Sequence, residues 1–202
     1  MNTTKILKSI ENHPLVLHLH PAIEITPEQF FEICQLNRDL RLERTATGEL
    51  VIRPPTGSET GGRNFRLLGQ LYNWTERDET GIGFDSSTGF TLPNGAQISP
   101  DAAWLKLERW NELTPEQQEK FAPIAPDFVV ELRSLSDPLK LLQDKMQQYI
   151  DNGVQLGWLI DHKQRRVYIY RPGNAVECLN NPATVSGEPI LPGFVLDLSK
   201  IW

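Results

Sequence analysis

The apolar pattern changes period several times along the chain, and each change predicts an element. Thr26-Pro27-Glu28-Gln29 is a capping box with proline at the first helical position, and Phe30, Ile33 and Leu36 follow at helical spacing. That helix should end between Asn37 and Asp39. The period then falls to two in residues 40–44 and 49–53, which flank Thr45-Ala46-Thr47-Gly48 as a β-hairpin closed by Pro54-Pro55. Residues 57–62 are small and polar and predict a flexible loop. Phe65, Leu68, Tyr72 and Thr75 mark one face of a second helix, ending at Thr80-Gly81. Residues 82–85 and 89–92 predict strands before the turn Pro93-Asn94-Gly95. A strand around Gln97-Ile98 delivers Asp101, and Thr114-Pro115-Glu116-Gln117 is a second capping box.

Residues 128–132 (Phe-Val-Val-Glu-Leu) form an almost continuous apolar run, as expected of a buried central strand. A helix over 138–151 should stop at Asn152-Gly153, where glycine suits a left-handed end. Residues 156–161 and 167–170 make a hairpin around His162 to Arg166, and the tail carries one more pair of short strands. The first 25 residues pattern weakly and are expected to be an N-terminal arm. Within it, Leu15 to His20 suggest a short strand whose two histidines share a solvated face. Together the elements predict an α/β (α+β) domain over 26–202: a mixed central β-sheet flanked by helices, with β-hairpin additions.

Bulk properties narrow the function classes. The 202 residues fit one domain, and 23% charged with 39% apolar residues is ordinary globular composition. A net charge of −6 weighs against a strongly basic nucleic-acid binder, although a bound cation would change the local field. Cys34 and Cys178 form no C-x-x-C, which excludes a disulfide framework and a thiolate zinc site. No apolar run reaches membrane-spanning length, and the start of the chain leads into no signal-type segment. A cytoplasmic protein is expected. Residues 57–62 lack the lysine of a phosphate-binding P-loop.

Two acids and a lysine carry the chemistry. Asp101 follows Ile98-Ser99-Pro100, and Glu131 lies within the strand 128–132. An ionised glutamate on a central strand costs several kcal/mol unless compensated. Arg133, two residues on and on the same face, is one candidate compensator, and a metal ion is another. Lys145 neighbours Leu141, Leu142, Met146 and Tyr149 on the inward stripe of its helix. It either snorkels along that surface or holds its ammonium at the carboxylate pair.

Two carboxylates with a nearby cation suit Mg²⁺ or Mn²⁺ and phosphodiester hydrolysis. Asp101 and Glu131 would be the metal ligands, with the backbone carbonyl of Leu132 as a further one. Arg133 keeps its proton and can only assist electrostatically, which leaves the lysine role to Lys145. Asp127 lies about 13 Å from Glu131 at about 3.3 Å per residue and opens the strand instead. Arg63, Arg66 and Arg77 read as solvated surface charge.

In order along the chain, Ser99-Pro100-Asp101, the run Pro126 to Ser134, Lys145-x-x-x-Tyr149 and the run Gly153 to Asp161 resemble the Uma2 family. That family is described as restriction endonucleases of the PD-(D/E)XK superfamily. The residues 41–43 with 48–51 resemble its opening hairpin, and the run 191–198 its C-terminal end. The resemblance covers about residues 26–202. It implies a restriction-endonuclease-like fold and a Mg²⁺- or Mn²⁺-dependent site acting on DNA. Asp101 matches the motif aspartate and Glu131 the motif acid.

The family's lysine position is occupied by Arg133, a departure, and Lys145 resembles the migrated lysine. Glu43 resembles an accessory acid that some members place near the metal, but as a hairpin residue it is expected at the surface. Tyr149 is a further accessory residue. A homodimer would suit double-strand cleavage. The rival expectations are an inactive nuclease-fold module that binds metal or nucleic acid, and an acidic protein-interaction scaffold in which Glu131, Arg133 and Lys145 form a buried ion-pair network.

Overall fold

The computed structural model describes residues 14–134 and 137–202, so the first thirteen residues of the expected N-terminal arm lie outside the described part. Two sheets carry the chain. The larger is six-stranded, in the order β11-β10-β9-β8-β7-β4. Its strands are β4 (Gly81–Asp85), β7 (Ala102–Lys106), β8 (Phe128–Leu132), β9 (Leu156–Asp161), β10 (Arg166–Tyr170) and β11 (Glu177–Asn180). Only β8 and β9 run parallel, and the other pairs are antiparallel, so the sheet is mixed. Every residue of β8 is buried, as its apolar run predicts.

The smaller sheet has the order β1-β3-β2-β6-β5, from β1 (Leu15–Leu17), β2 (Arg41–Arg44), β3 (Leu50–Arg53), β5 (Phe90–Thr91) and β6 (Gln97–Ile98). The predicted hairpin is its centre, and β1 pairs with β3 at one edge. Helix α1 (Pro27–Leu36) packs Phe30 against Leu42 on one face of this sheet. Its capping box forms as the sequence implies, with Thr26 and Gln29 satisfying each other's backbone N–H groups.

Helix α2 (Ser58–Asp78) covers one face of the large sheet, together with a terminal hairpin of β12 (Thr184–Ser186) and β13 (Val195–Asp197). Trp158 stacks on Phe194 there at 5.8 Å, with Phe128 edge-on to Trp158 at 4.7 Å. Two expectations for α2 are corrected. It begins at Ser58, so most of the predicted loop is its first turns. Its buried side chains are Thr60, Asn64, Leu67, Leu71, Trp74 and Thr75, while Phe65 is 80% and Tyr72 61% exposed. Apolar residues stand on both sides of that stripe, and periodicity alone does not select the buried set.

Two short helices, α3 (Leu107–Asn111) and α4 (Pro115–Glu119), lead toward β8. Helix α5 (Leu139–Asp151) crosses from β8 to β9 over the opposite face and buries Leu142, Lys145, Met146 and Tyr149. Leu141, expected inward, is 56% exposed, because the stripe turns toward Leu142 and Met146. Gly153 takes φ +106° at the stop, the left-handed region that glycine occupies freely. Among the described residues no helix is long and apolar enough to cross a membrane.

Candidate active site

The small sheet hands the chain to the large one through Ser99-Pro100-Asp101, between β6 and β7. Antiparallel register pairs Ala102 with Val130, Ala103 with Val129 and Trp104 with Phe128. One step further along that register, Asp101 stands opposite Glu131, and the Asp101 N–H still donates to the Val130 carbonyl at 3.0 Å. Opposed residues of such a pair have Cβ atoms about 5 Å apart. Asp101 is then fixed from two sides. Its Oδ2 accepts from the Leu132 N–H at 2.8 Å, and its Oδ1 from Asn64 Nδ2 of α2 at 3.2 Å.

Glu131 projects toward α5. Its Oε1 accepts from Tyr149 at 3.0 Å and meets Lys145 Nζ at 2.7 Å. Lys145 also donates to Glu43 Oε1 at 2.9 Å and to the Ser99 carbonyl at 3.0 Å. Glu43 in turn holds Arg53 Nε at 2.6 Å and accepts from the Ser99 N–H at 3.3 Å. The four charged groups are therefore one chain, Arg53–Glu43–Lys145–Glu131, with both strands and the connecting loop pinned to it.

The two acids respond oppositely to this setting. Burial pushes the Glu131 carboxyl up to about 7, with Asp101 and Glu43 adding repulsion and Lys145 opposing. Burial also acts upward on Glu43, but Lys145 and Arg53 outweigh it and hold that carboxyl down to about 2. Desolvation works against the Lys145 ammonium, yet Glu131 and Glu43 keep its pKa above the ordinary lysine value. Burial and the neighbouring carboxylates raise the Tyr149 hydroxyl well above its usual range, so it stays a neutral donor to Glu131.

A cavity of about 480 Å³ opens over this chain of charges. Arg41, Arg53, Thr60, Ser99, Asp101, Glu131, Leu132 and Lys145 are part of its lining. The donor set suits a hard cation. Glu131 Oε2 makes no hydrogen bond to any described residue, and each Asp101 oxygen keeps acceptor capacity beyond the one bond it makes. When Glu131 is ionised, the carboxylates Glu43, Asp101 and Glu131 outnumber the cations Lys145 and Arg53 of this network by one. Among the described residues no group of three or more His, Cys, Asp or Glu side chains is arranged to hold a metal ion. Two carboxylates with open positions fit magnesium, which keeps waters or phosphate oxygens as its other ligands.

The model of a family described as "Putative restriction endonuclease", Uma2, matches residues 27–199. The chain belongs to the Uma2 family. No curated protein matches it. A solved structure with the same fold is described as "a putative nuclease belonging to DUF820" from Anabaena variabilis ATCC 29413. It superposes with a TM-score of 0.72 over 88% of this chain and 97% of that one, at 19% sequence identity. The fold is the restriction-endonuclease-like one.

Within this Uma2 chain, Asp101, Glu131, Lys145 and Tyr149 come together as the sequence suggests. Of the two readings left open for Lys145, the ammonium does sit among carboxylates, but they are Glu131 and Glu43 and not the Asp101–Glu131 pair. Two expectations are corrected. Arg133 does not compensate Glu131. Past the strand end its guanidinium turns to Asp161 Oδ2 at 2.7 Å and to the Asp137 carbonyl at 3.0 Å, which leaves Lys145 and Tyr149 as the compensators. Glu43 is not a surface residue. It is 5% exposed, because β2 lies inside its sheet with α1 on one face and Lys145 on the other.

Asp127 stands apart, accepting from the Lys106 N–H and from Arg109. Arg63 and Arg66 bind the Ile201 and Lys200 carbonyls and so tether the C-terminus. Arg53 and Asn64 were not singled out by the sequence. The alternation Arg41-x-Glu43 opposite Val51-x-Arg53 puts Arg53 diagonal to Glu43, which was the one signal available for it.

Proposed function

We propose that this cavity is the active centre of an endonuclease that hydrolyses DNA phosphodiester bonds with Mg²⁺ or Mn²⁺. Asp101, Glu131 and the Leu132 carbonyl would hold the ion. The observation that carries the reading is the β7–β8 register, which sets Asp101 opposite Glu131 beside Lys145 in one cavity. When bound, such an ion supplies Lewis acidity toward a phosphate oxygen and lowers the pKa of water.

The residues of the chain do the rest. Tyr149 and Lys145 both bind Glu131 Oε1 and so orient its other oxygen. Asn64 and the Leu132 N–H fix Asp101 in the same way. Three acceptors take all three N–H groups of Lys145, so it reaches a phosphate or a water only by giving one up. Of its two carboxylates only Glu131 lines the cavity, so that contact is the one a phosphate there would exchange, with Tyr149 keeping its hold on Glu131 Oε1. Lys145 then offers positive charge to the charge that builds on phosphorus.

Plasmid cleavage with Mg²⁺ or Mn²⁺ tests this on wild type, Asp101→Ala, Glu131→Ala and Lys145→Ala. Losing a group that merely orients a metal ligand costs about 10–100-fold. Each variant should therefore fall by about a hundredfold or more. Linear rather than nicked product would mark two copies acting together. Equal activity in all four proteins refutes the assignment.

One observation favours a second reading. The buried chain Arg53–Glu43–Lys145–Glu131 satisfies itself, as a structural ion-pair network does. Under that reading Mn²⁺ does not bind, and Glu131→Ala destabilises by about 3–5 kcal/mol.

A further inference from the structure

We infer that the N-terminal turn of α2 is a second anion subsite of the same centre, holding the DNA phosphate next to the one that is cut. The inference rests on the nuclease reading above. Helix α2 is 21 residues long and opens at Gly57, which offers no side-chain cap. Its first internal bond runs from the Gly61 N–H to the Gly57 carbonyl at 3.0 Å. The N–H groups of Ser58, Glu59 and Thr60 precede it and meet no acceptor among the described residues. The dipole of a long helix adds partial positive charge at this end.

A second observation points to a ligand. Thr60 is only 8% exposed and lines the cavity, yet its hydroxyl bonds to no described residue. A phosphate oxygen in the cavity would give this hydroxyl an acceptor. The spacing also agrees. Asn64, one turn on and on the same face, donates to Asp101. Thr60, Asp101 and Glu131 all line the one cavity, so the first turn of α2 and the carboxylate pair border the same space.

Arg53 adds a cation at the cavity wall. Its Nε holds Glu43, and its terminal nitrogens have no partner among the described residues. Glu59, the acid of this first turn, also borders the cavity, but its side chain is 78% exposed and lies 3.5 Å from the Arg63 guanidinium.

Two measurements on the full chain test the subsite. In EDTA, dimethyl phosphate is titrated into ¹⁵N-labelled wild-type protein. The amides of Ser58, Glu59 and Thr60 should shift saturably, and Thr60→Val should weaken the affinity by about tenfold, the worth of one charge-assisted hydrogen bond. Amides that do not respond overturn the inference. With Mn²⁺ and duplex DNA, Thr60→Val should raise KM by about tenfold and change kcat by less than about twofold. A fall in kcat at unchanged KM overturns the binding role. The two readings fail separately. Responsive amides in a protein that cuts nothing keep the subsite and remove the nuclease, whereas cleavage with silent amides does the reverse.

Discussion

Glu43 and Glu131 share one ammonium and are driven in opposite directions by what else surrounds them. Glu43 has a second cation bound directly in Arg53, while for Glu131 burial dominates, with Lys145 as its one bound cation and Asp101 and Glu43 as repelling neighbours. The folded-state value of Glu43, about 2 against an ordinary 4.5, makes it a source of stability above that ordinary value. The stability is lost as pH falls from about 4.5 toward 2, where the folded carboxylate must take up a proton. The difference is worth about 3 kcal/mol. Glu43→Gln should therefore lose about that much stability in urea melts at pH 7, and the gap to wild type should narrow steadily below pH 4.5. A gap that does not change with pH would contradict the ion-pair account of Glu43.

Part of this chemistry was legible beforehand. An acid in the middle of an apolar strand is anomalous by itself, and Lys145 on an apolar helix stripe is a second anomaly that asks for a partner. Glu43 gave no such sign, because a hairpin residue reads as exposed until something a hundred positions away is known to cover it.

Among the elements, α2 shows where periodicity runs out. The sequence supports a helix ending near Thr80, and the structure agrees, but residues 65, 68, 72 and 75 and residues 60, 64, 67, 71 and 74 are both helical series. Only the sheet opposite, with Trp104, Phe128 and Trp158, decides which one is covered. The glycines at 57, 61 and 62 suggest a loop, yet tertiary contact overrides their weak helix propensity. That override matters for the site, since it is the early turns of α2 that carry Thr60 and Asn64.

Asn64 donates to Asp101 while its own carbonyl oxygen is buried without a partner. Asn64→Leu removes the donor and the unsatisfied oxygen together, so stability in urea melts should stay within about 1 kcal/mol of wild type. Cleavage should still fall by about tenfold or more, because Asp101 loses one of its two anchors. Full cleavage in Asn64→Leu would show that α2 does not position the carboxylate.

At the scale of the molecule, the site lies where two sheets are joined by three residues. The small sheet supplies Glu43 and Arg53, the large sheet Glu131, the connecting loop Asp101, and the two long helices Asn64 and Lys145. The elements were legible one by one from capping boxes, alternation and turn residues. Their meeting was not, since it depends on strand order, and β6-to-β7 is the passage that brings the two sheets together. The net charge of −6 also gave no guide, because the local balance of Lys145 and Arg53 against Glu43, Asp101 and Glu131 decides what the cavity attracts.

The central claim is that Asp101 and Glu131 hold one ion between them. Anomalous diffraction from crystals soaked in Mn²⁺ tests it most directly. The account predicts a single strong peak within about 2.3 Å of an oxygen of each carboxylate, absent in Asp101→Ala. A soaked crystal with Lys145 still bridging Glu131 and Glu43, and no peak between the two acids, would contradict it.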